Sequence, residues 1–203
     1  MNKILESTKF VVDNSKFVKI NRERAIDFSK GFEHGITNHW LSEAPFDFSA
    51  LNEEEKLKFI FIFNALSFCY WGEPKWTVEY DGKKEDGAWG MAVALGRGIK
   101  EGFPLLDFRY SAKIAKSDLE KILRANRGIP LFNERWKILR EIGAVMTSKY
   151  KGTLDELFLE ADGDAQALLE IITTNFPSYY DASLYKGKTI YFHKRAQLLV
   201  SDL

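Results

Sequence analysis

Residues 52–68 constrain the fold more than any other stretch of the chain. Asn52 followed by Glu53, Glu54 and Glu55 reads as a helix start. An Asx side chain caps the first free amides, and acids sit well at the positive end of the helix dipole. Behind it runs Lys56-Leu-Lys-Phe-Ile-Phe-Ile-Phe-Asn-Ala-Leu-Ser-Phe68, apolar round most of the circumference. A helix of that kind is buried on nearly every face. The greasiest window, Leu57 to Trp71, is interrupted by Lys58, Asn64 and Ser67 and is too short to cross a bilayer.

The rest of the chain supplies further helices. Asn21 is a plausible cap for a segment carrying Ala25, Ile26, Phe28 and Phe32. Gly87 to about Lys100 is rich in glycine and alanine, which permits close helix packing. Ser117-Asp-Leu-Glu reads as a capping box opening a short helix to about Ala125. Leu131 to Tyr150 places Trp136, Leu139, Ile142 and Val145 at helical spacing, and Leu154–Leu159, Ala165–Thr174 and Arg195–Leu203 read as three more helices. Strands are expected only at Trp76–Tyr80, before Asp81-Gly82, and Thr189–Phe192, after Lys186-Gly187. The expected fold is all-α: a single helical domain over residues 1–203 with one or two short β-hairpins.

Composition narrows the function. Lys+Arg 29 against Asp+Glu 29 gives a formal charge of zero, which removes the usual argument for a protein that coats nucleic acid or an anionic membrane. A small local basic pocket stays open. Cys69 is the single cysteine, so an internal disulfide and a Cys-based zinc cluster are excluded. His34, His39 and His193 show no metal-site spacing. The amino terminus lacks the apolar core of a signal peptide; a soluble protein of the reducing cytoplasm is expected. Phe 16, Tyr 8 and Trp 5 in 203 residues form an unusually large aromatic share, useful for core area and for flat slots that take flat ligands.

Three stretches can carry chemistry. In Asn64-Ala-Leu-Ser-Phe-Cys-Tyr-Trp71-Gly-Glu-Pro-Lys-Trp76, a buried helix meets Gly72 and Pro74, leaving Glu73, Lys75 and Trp76 on a loop. Two tryptophans across that break can sandwich a planar base; the plainer reading is a helix end packed under a loop. Cys69 reads as core packing on the buried helix. In the second stretch, the turn-borne acid Asp181 precedes Lys194-Arg195 at a helix start, a phosphate cradle or an ordinary solvated pair. Third, His39-Trp40 before Pro45 can offer a base edge a hydrogen bond, although a lone histidine is more often structural. P-loop, dinucleotide, zinc-protease and nucleophile-elbow signatures are absent, which leaves kinase and dehydrogenase readings poor.

Four segments in order resemble the queuosine salvage proteins, the queuosine 5′-phosphate N-glycosylases. Phe68-Cys-Tyr-Trp71 resembles that family's Phe-Cys-aromatic-Trp motif. Ile129-Pro-Leu-Phe-Asn-Glu-Arg135 is similar to its Ile-Pro segment ending in Glu-Arg, Phe176-Pro-Ser-Tyr-Tyr-Asp181 to its Phe-Pro turn ending in Asp, and Lys194-Arg-Ala-Gln197 to its Lys-Arg-Ala-Gln motif. The resemblance runs from about residue 10 to the end. It implies a helical fold related to the helix-hairpin-helix DNA glycosylases. The implied activity is hydrolysis of the N-glycosidic bond of queuosine 5′-monophosphate, releasing queuine for tRNA modification. No metal or organic cofactor, no stable nucleic acid partner and no membrane are implied, and the chain is expected to be a monomer or homodimer.

Within that resemblance each residue takes a role. Cleaving a ribosyl–base bond develops oxocarbenium character on the sugar, which a carboxylate stabilises, while the departing base needs a proton or a hydrogen bond. Asp181 is the carboxylate to test and Lys194 its catalytic companion, with Arg195 joining Lys194 at the phosphate. Phe68, Trp71 and Trp76 suit the 7-deazaguanine ring, His39 a base edge, and Glu73 and Asp107 the base or the cyclopentenediol hydroxyls. Glu134 and Arg135 read as a structural ion pair. Family members continue past the Lys-Arg-Ala-Gln helix into a Phe-Ala-Asp-Tyr-Arg-like segment bearing an acid, whereas this sequence ends at Leu203. The expectations are a fragment, a short variant, or a chain completed by another polypeptide. Either Asp181 takes over the acid's role or the chain binds without catalysing. A catalytically silent binding module and a DNA-repair glycosylase are the competing readings.

Overall fold

The structure is a computed structural model describing residues 3–31 and 38–203. Among these, Asn52 caps as its chemistry requires: its side chain accepts from the Glu55 amide at 3.0 Å, and the Glu55 carboxylate accepts from the Asn52 amide at 3.0 Å. The helix so opened, α3 (Glu53–Leu66), buries eight consecutive residues from Phe59 to Leu66. It stops two residues short of Phe68, so Cys69 lies beyond it in the left-handed region (φ 49°) rather than on the buried helix.

The described chain is mostly helical, with two small antiparallel hairpins, and its contacts divide into two compact units. The first comprises residues 1–38 and 181–194. It holds α1 (Lys3–Asn14), α2 (Arg22–Lys30) and the hairpin β3 (Ala182–Tyr185) with β4 (Lys188–Tyr191). Helix α1 packs on β4, where the Ser7 hydroxyl accepts from the Tyr191 amide at 2.9 Å, and the Tyr185 hydroxyl donates to the Asn14 carbonyl at 3.1 Å. Asn21 caps α2 as expected, accepting from the Arg24 amide at 3.0 Å, yet that helix buries none of its residues. Phe32 of the expected segment lies outside the described residues.

The second unit, residues 39–180 and 195–203, surrounds α3. It contains the hairpin β1 (Thr77–Tyr80) and β2 (Lys83–Asp86), then α4 (Gly87–Lys100), α5 (Phe108–Ser111), α6 (Lys116–Ile122), α7 (Phe132–Lys149), α8 (Leu154–Ala161) and α9 (Ala165–Asn175). Most of α10 (Lys194–Asp202) also belongs to it. Helices α4, α7 and α8 pack against α3. The α5–α7 contact depends on Gly143: a Cβ there would meet the Ala112 nitrogen at 2.2 Å and the Phe108 carbonyl oxygen at 2.6 Å, both backbone atoms that cannot swing away. The core is aromatic, with Phe61 against Phe108, Phe176 and Tyr179.

The capping box expected at Ser117 is absent. Helix α6 starts two residues earlier than that cap would place it, behind Ala115, whose methyl group cannot accept a hydrogen bond. Ser117 therefore lies inside the first turn rather than ahead of it.

Candidate functional site

Ending α3 leaves carbonyl groups that need donors in a place water cannot reach. The Phe68 amide reaches back to the Leu66 carbonyl at 3.1 Å, and one side chain bonds that carbonyl together with others of the turn. Arg135, on α7 and fully buried, donates from Nε to the Leu66 carbonyl at 3.2 Å and from Nη2 to the Cys69 carbonyl at 3.2 Å. It also bonds the carbonyls of Phe68 and Pro130. Its guanidinium carbon sits 4.3 Å from the Phe68 ring centre and 5.4 Å from that of Tyr70. The expected ion pair with Glu134 is not formed. Residues adjacent on a helix point in different directions, and Glu134 faces solvent while Arg135 faces the core. Burial pulls the Arg135 pKa down from its ordinary value and pushes that of Tyr70 up to about 12.

Phe68 is thereby a scaffold. One side of its environment is the Arg135 guanidinium; Arg195 also stacks on it, 5.1 Å from the ring centre. Arg195 further lies 5.9 Å from the Tyr179 ring and donates to the Ser178 carbonyl. It is half-buried, whereas its neighbour Lys194 is exposed at the first position of α10, so the two cations project differently.

Trp71, Glu73 and Trp76 line one cavity of about 440 Å³, together with Tyr70, Lys75 and Asp86. The two tryptophans do not play equal parts. Trp76 is 1% exposed and stacks on Tyr70 at 6.1 Å, whereas Trp71 is 82% exposed. Only Trp71 offers a broad free face. The loop between them is braced from below: Arg127 donates to the Pro74 carbonyl at 2.7 Å, and Asn126 both donates to the Lys75 carbonyl at 2.9 Å and accepts from the Thr77 amide at 2.8 Å. Lys75 donates to Asp86 at 2.9 Å, which raises the Lys75 pKa.

His39 lies elsewhere in the second unit. Its Nδ1 accepts from the Leu41 amide at 3.2 Å, so in the neutral ring Nε2 carries the proton, facing the Asp202 carbonyl 3.2 Å away. It borders a larger cavity of about 880 Å³ with Asp47, Lys56 and Asp202. Beside it, Trp40 stacks on Phe63 at 4.6 Å and approaches Trp89 at 6.1 Å. Asp107 joins neither cavity; it caps α5, accepting from the Arg109 amide at 2.9 Å and pairing with the Arg109 side chain. Asp181 belongs to the first unit, where its carbonyl accepts from the amides of Phe192 (3.1 Å) and His193 (3.0 Å) at the base of the β3–β4 hairpin. Among the described residues no cluster of three or more His, Cys, Asp or Glu has the arrangement of a metal site, and no helix is long and apolar enough to cross a membrane.

Reading for motifs by residue type overlooked Arg135 as an organiser, Tyr70 as a stacking surface and Arg127 with Asn126 as loop supports. Nothing in local spacing marks them: Arg135, Arg127 and Asn126 act on backbone carbonyls distant in sequence, and Tyr70 stacks on Trp76 across the break in the loop.

Comparison with known proteins supplies the relationship. A family profile described as queuosine salvage protein matches residues 48–203. A protein of Sphaerobacter thermophilus is 35% identical over 98% of this chain and 62% of its own length. Those of Bos taurus and Mus musculus are 33% and 31% identical, each over 97% of this chain and 61% of theirs. All three are called queuosine 5′-phosphate N-glycosylase/hydrolase. The chain spans about three fifths of the length of these curated relatives. With a family profile matched over most of its residues, and relatives aligned along nearly all of it, the chain belongs to the queuosine salvage protein family.

Proposed function

We propose that the chain carries a hydrolytic site for queuosine 5′-phosphate, cleaving the bond between the sugar C1′ and the base nitrogen. The observation that carries this reading is the alignment of 97–98% of the chain with proteins of that name. In the reaction the C1′–N bond breaks, a water oxygen bonds to C1′, and the base leaves as queuine after gaining a proton. Asp181 stabilises the positive charge developing on the sugar and orients the water, and Lys194 is its catalytic companion and a phosphate contact. Arg195 neutralises the phosphate; Trp71 offers its free face to the 7-deazaguanine ring, with the buried Trp76 and Phe68 behind it; Glu73, in the same cavity, is the polar contact, while His39 and Asp107 do not line that cavity and carry no contact in it. The helical architecture is read as related to the helix-hairpin-helix glycosylases, in a single cytoplasmic domain that acts as a monomer or homodimer and uses no cofactor.

The test is a chromatographic assay for free queuine after incubation with queuosine 5′-phosphate, beside Asp181→Asn and Lys194→Ala. Release by the wild type, reduced at least about 100-fold in Asp181→Asn, supports the assignment. Tight binding without release in the wild type favours a binding module, and neither binding nor release overturns the reading.

A further inference from the structure

The cavity beside Trp71 has chemistry that a flat base does not use. Trp71 exposes 82% of its surface at a point where the loop beneath is fixed by Arg127 and Asn126. An indole face held open on a braced loop is available to a ligand without any rearrangement. Two residues on, Glu73 is exposed and forms no hydrogen bond or ion pair among the described residues; its charge acts on the nearby Lys75, whose ammonium is bonded to Asp86. An open indole face beside an unpaired carboxylate is complementary to an organic cation: the ring quadrupole attracts the charge and the carboxylate pairs with it.

The reading of the substrate as queuosine 5′-phosphate, on which this inference rests, provides such a cation. Its base is a 7-deazaguanine whose aminomethyl arm ends in a cyclopentenediol, and the secondary amine of that arm is protonated at neutral pH. We propose that Trp71 and Glu73 form a subsite for the charged amine of this arm, and so select queuine nucleotides over those of plain 7-deazaguanine. Trp71 covers the ammonium with its face, and Glu73 accepts its N–H. Trp76 and Tyr70, stacked behind, close the apolar wall, and Lys75 is kept from repelling the ligand by its pairing with Asp86. The subsite thus reads the one feature that separates this base from other purine-like bases at long range: its positive charge.

The experiment compares equilibrium binding of three free bases to the full chain by tryptophan fluorescence: queuine, queuine acetylated on its amine, and 7-deazaguanine. Acetylation keeps the diol and removes the charge, so it separates cation recognition from hydroxyl recognition. The wild type is expected to bind queuine about tenfold more tightly than either comparison base, the scale of a partly desolvated cation–π contact with a carboxylate partner. Glu73→Gln and Trp71→Leu are each expected to shrink that ratio to about threefold or less. Glu73→Asp should restore part of it. Both side chains are exposed, so the substitutions leave the core intact, which circular dichroism checks. A wild type with no preference for queuine over its acetylated form overturns the subsite and leaves the enzymatic reading standing, as does a preference that persists in both variants. A wild type that binds none of the three bases overturns the subsite, and the queuine-release assay on queuosine 5′-phosphate decides the proposed function separately.

Discussion

Arg135 is a buried cation with no carboxylate of its own. Its solvation is replaced by four backbone carbonyls and two aromatic faces, an arrangement that exchanges water for oriented dipoles. Removing the side chain leaves the Phe68, Cys69 and Pro130 carbonyls without this donor, while Leu66 keeps the Phe68 amide, so Arg135→Met should lower unfolding stability by about 3 kcal/mol. Arg135→Lys should recover only part of this, since an ammonium cannot reach several acceptors in a plane. Urea unfolding measures both, and a loss under about 1 kcal/mol for Arg135→Met would contradict the role. Tyr70 gives the same turn a pH signature. Its folded pKa is raised to about 12 from 10.0, first through burial. Above pH 10 the unfolded chain releases the phenolic proton while the folded chain keeps it, so stability is complete below pH 10 and falls as pH climbs towards 12. The expected loss over that window is about 3 kcal/mol. Tyr70→Phe should flatten that alkaline limb; an unchanged limb would show that other groups govern it.

At the scale of elements, two apparent caps separate what a pattern can and cannot tell. Asn52 and Glu55 bond one another's backbone reciprocally, whereas Ser117 sits inside α6 behind an uncapped Ala115. Asn52→Ala should therefore cost about 1 kcal/mol, and Ser117→Ala close to nothing; equal losses in a thermal melt would contradict the contrast. The start of α3 was legible because its cap, its acids and its apolar run all favour one boundary. Helix α1 was not, although its covered residues Ile4, Ser7, Thr8 and Val11 recur at helical spacing, because half of that stripe is polar and its Ser7 is buried only by meeting Tyr191, 184 residues away. The site divides the same way. Trp71, Glu73 and Trp76 share a cavity because a short loop cannot separate them far. Phe68 and Arg195, by contrast, meet through packing that single-sequence spacing does not encode. Periodicity tells which face of a helix is covered but not which side chain covers it, and so Arg135 could be read as the partner of Glu134 when its partners are carbonyls.

For the whole molecule, charge bears on the proposed choice of a nucleotide over a duplex as the ligand. Twenty-nine cations balance twenty-nine anions, and many pair locally at the surface, as Arg124 does with Glu101 and Lys149 with Glu160. A protein that follows DNA has to neutralise several phosphates in a row, and the release of condensed counterions then makes its affinity fall about 10³- to 10⁵-fold between 50 and 200 mM salt when six to ten phosphates are contacted. A nucleotide monophosphate has one phosphate and no condensed counterion layer to lose. Binding of queuosine 5′-phosphate to Asp181→Asn, chosen to limit turnover, should therefore weaken by only about threefold over the same range, and a labelled DNA duplex should show no saturable binding at 150 mM salt. Fluorescence anisotropy for the duplex and calorimetry for the nucleotide give the two slopes. Steeply salt-dependent, saturable duplex binding would mean that local cations had been gathered into a track that the net charge conceals, and the proposed glycosylase chemistry would then have to be sought on DNA. A shallow slope for the nucleotide with no duplex binding is what the proposed single-phosphate site requires, because one phosphate releases few counterions and the proposed aromatic contacts carry no net charge for salt to screen.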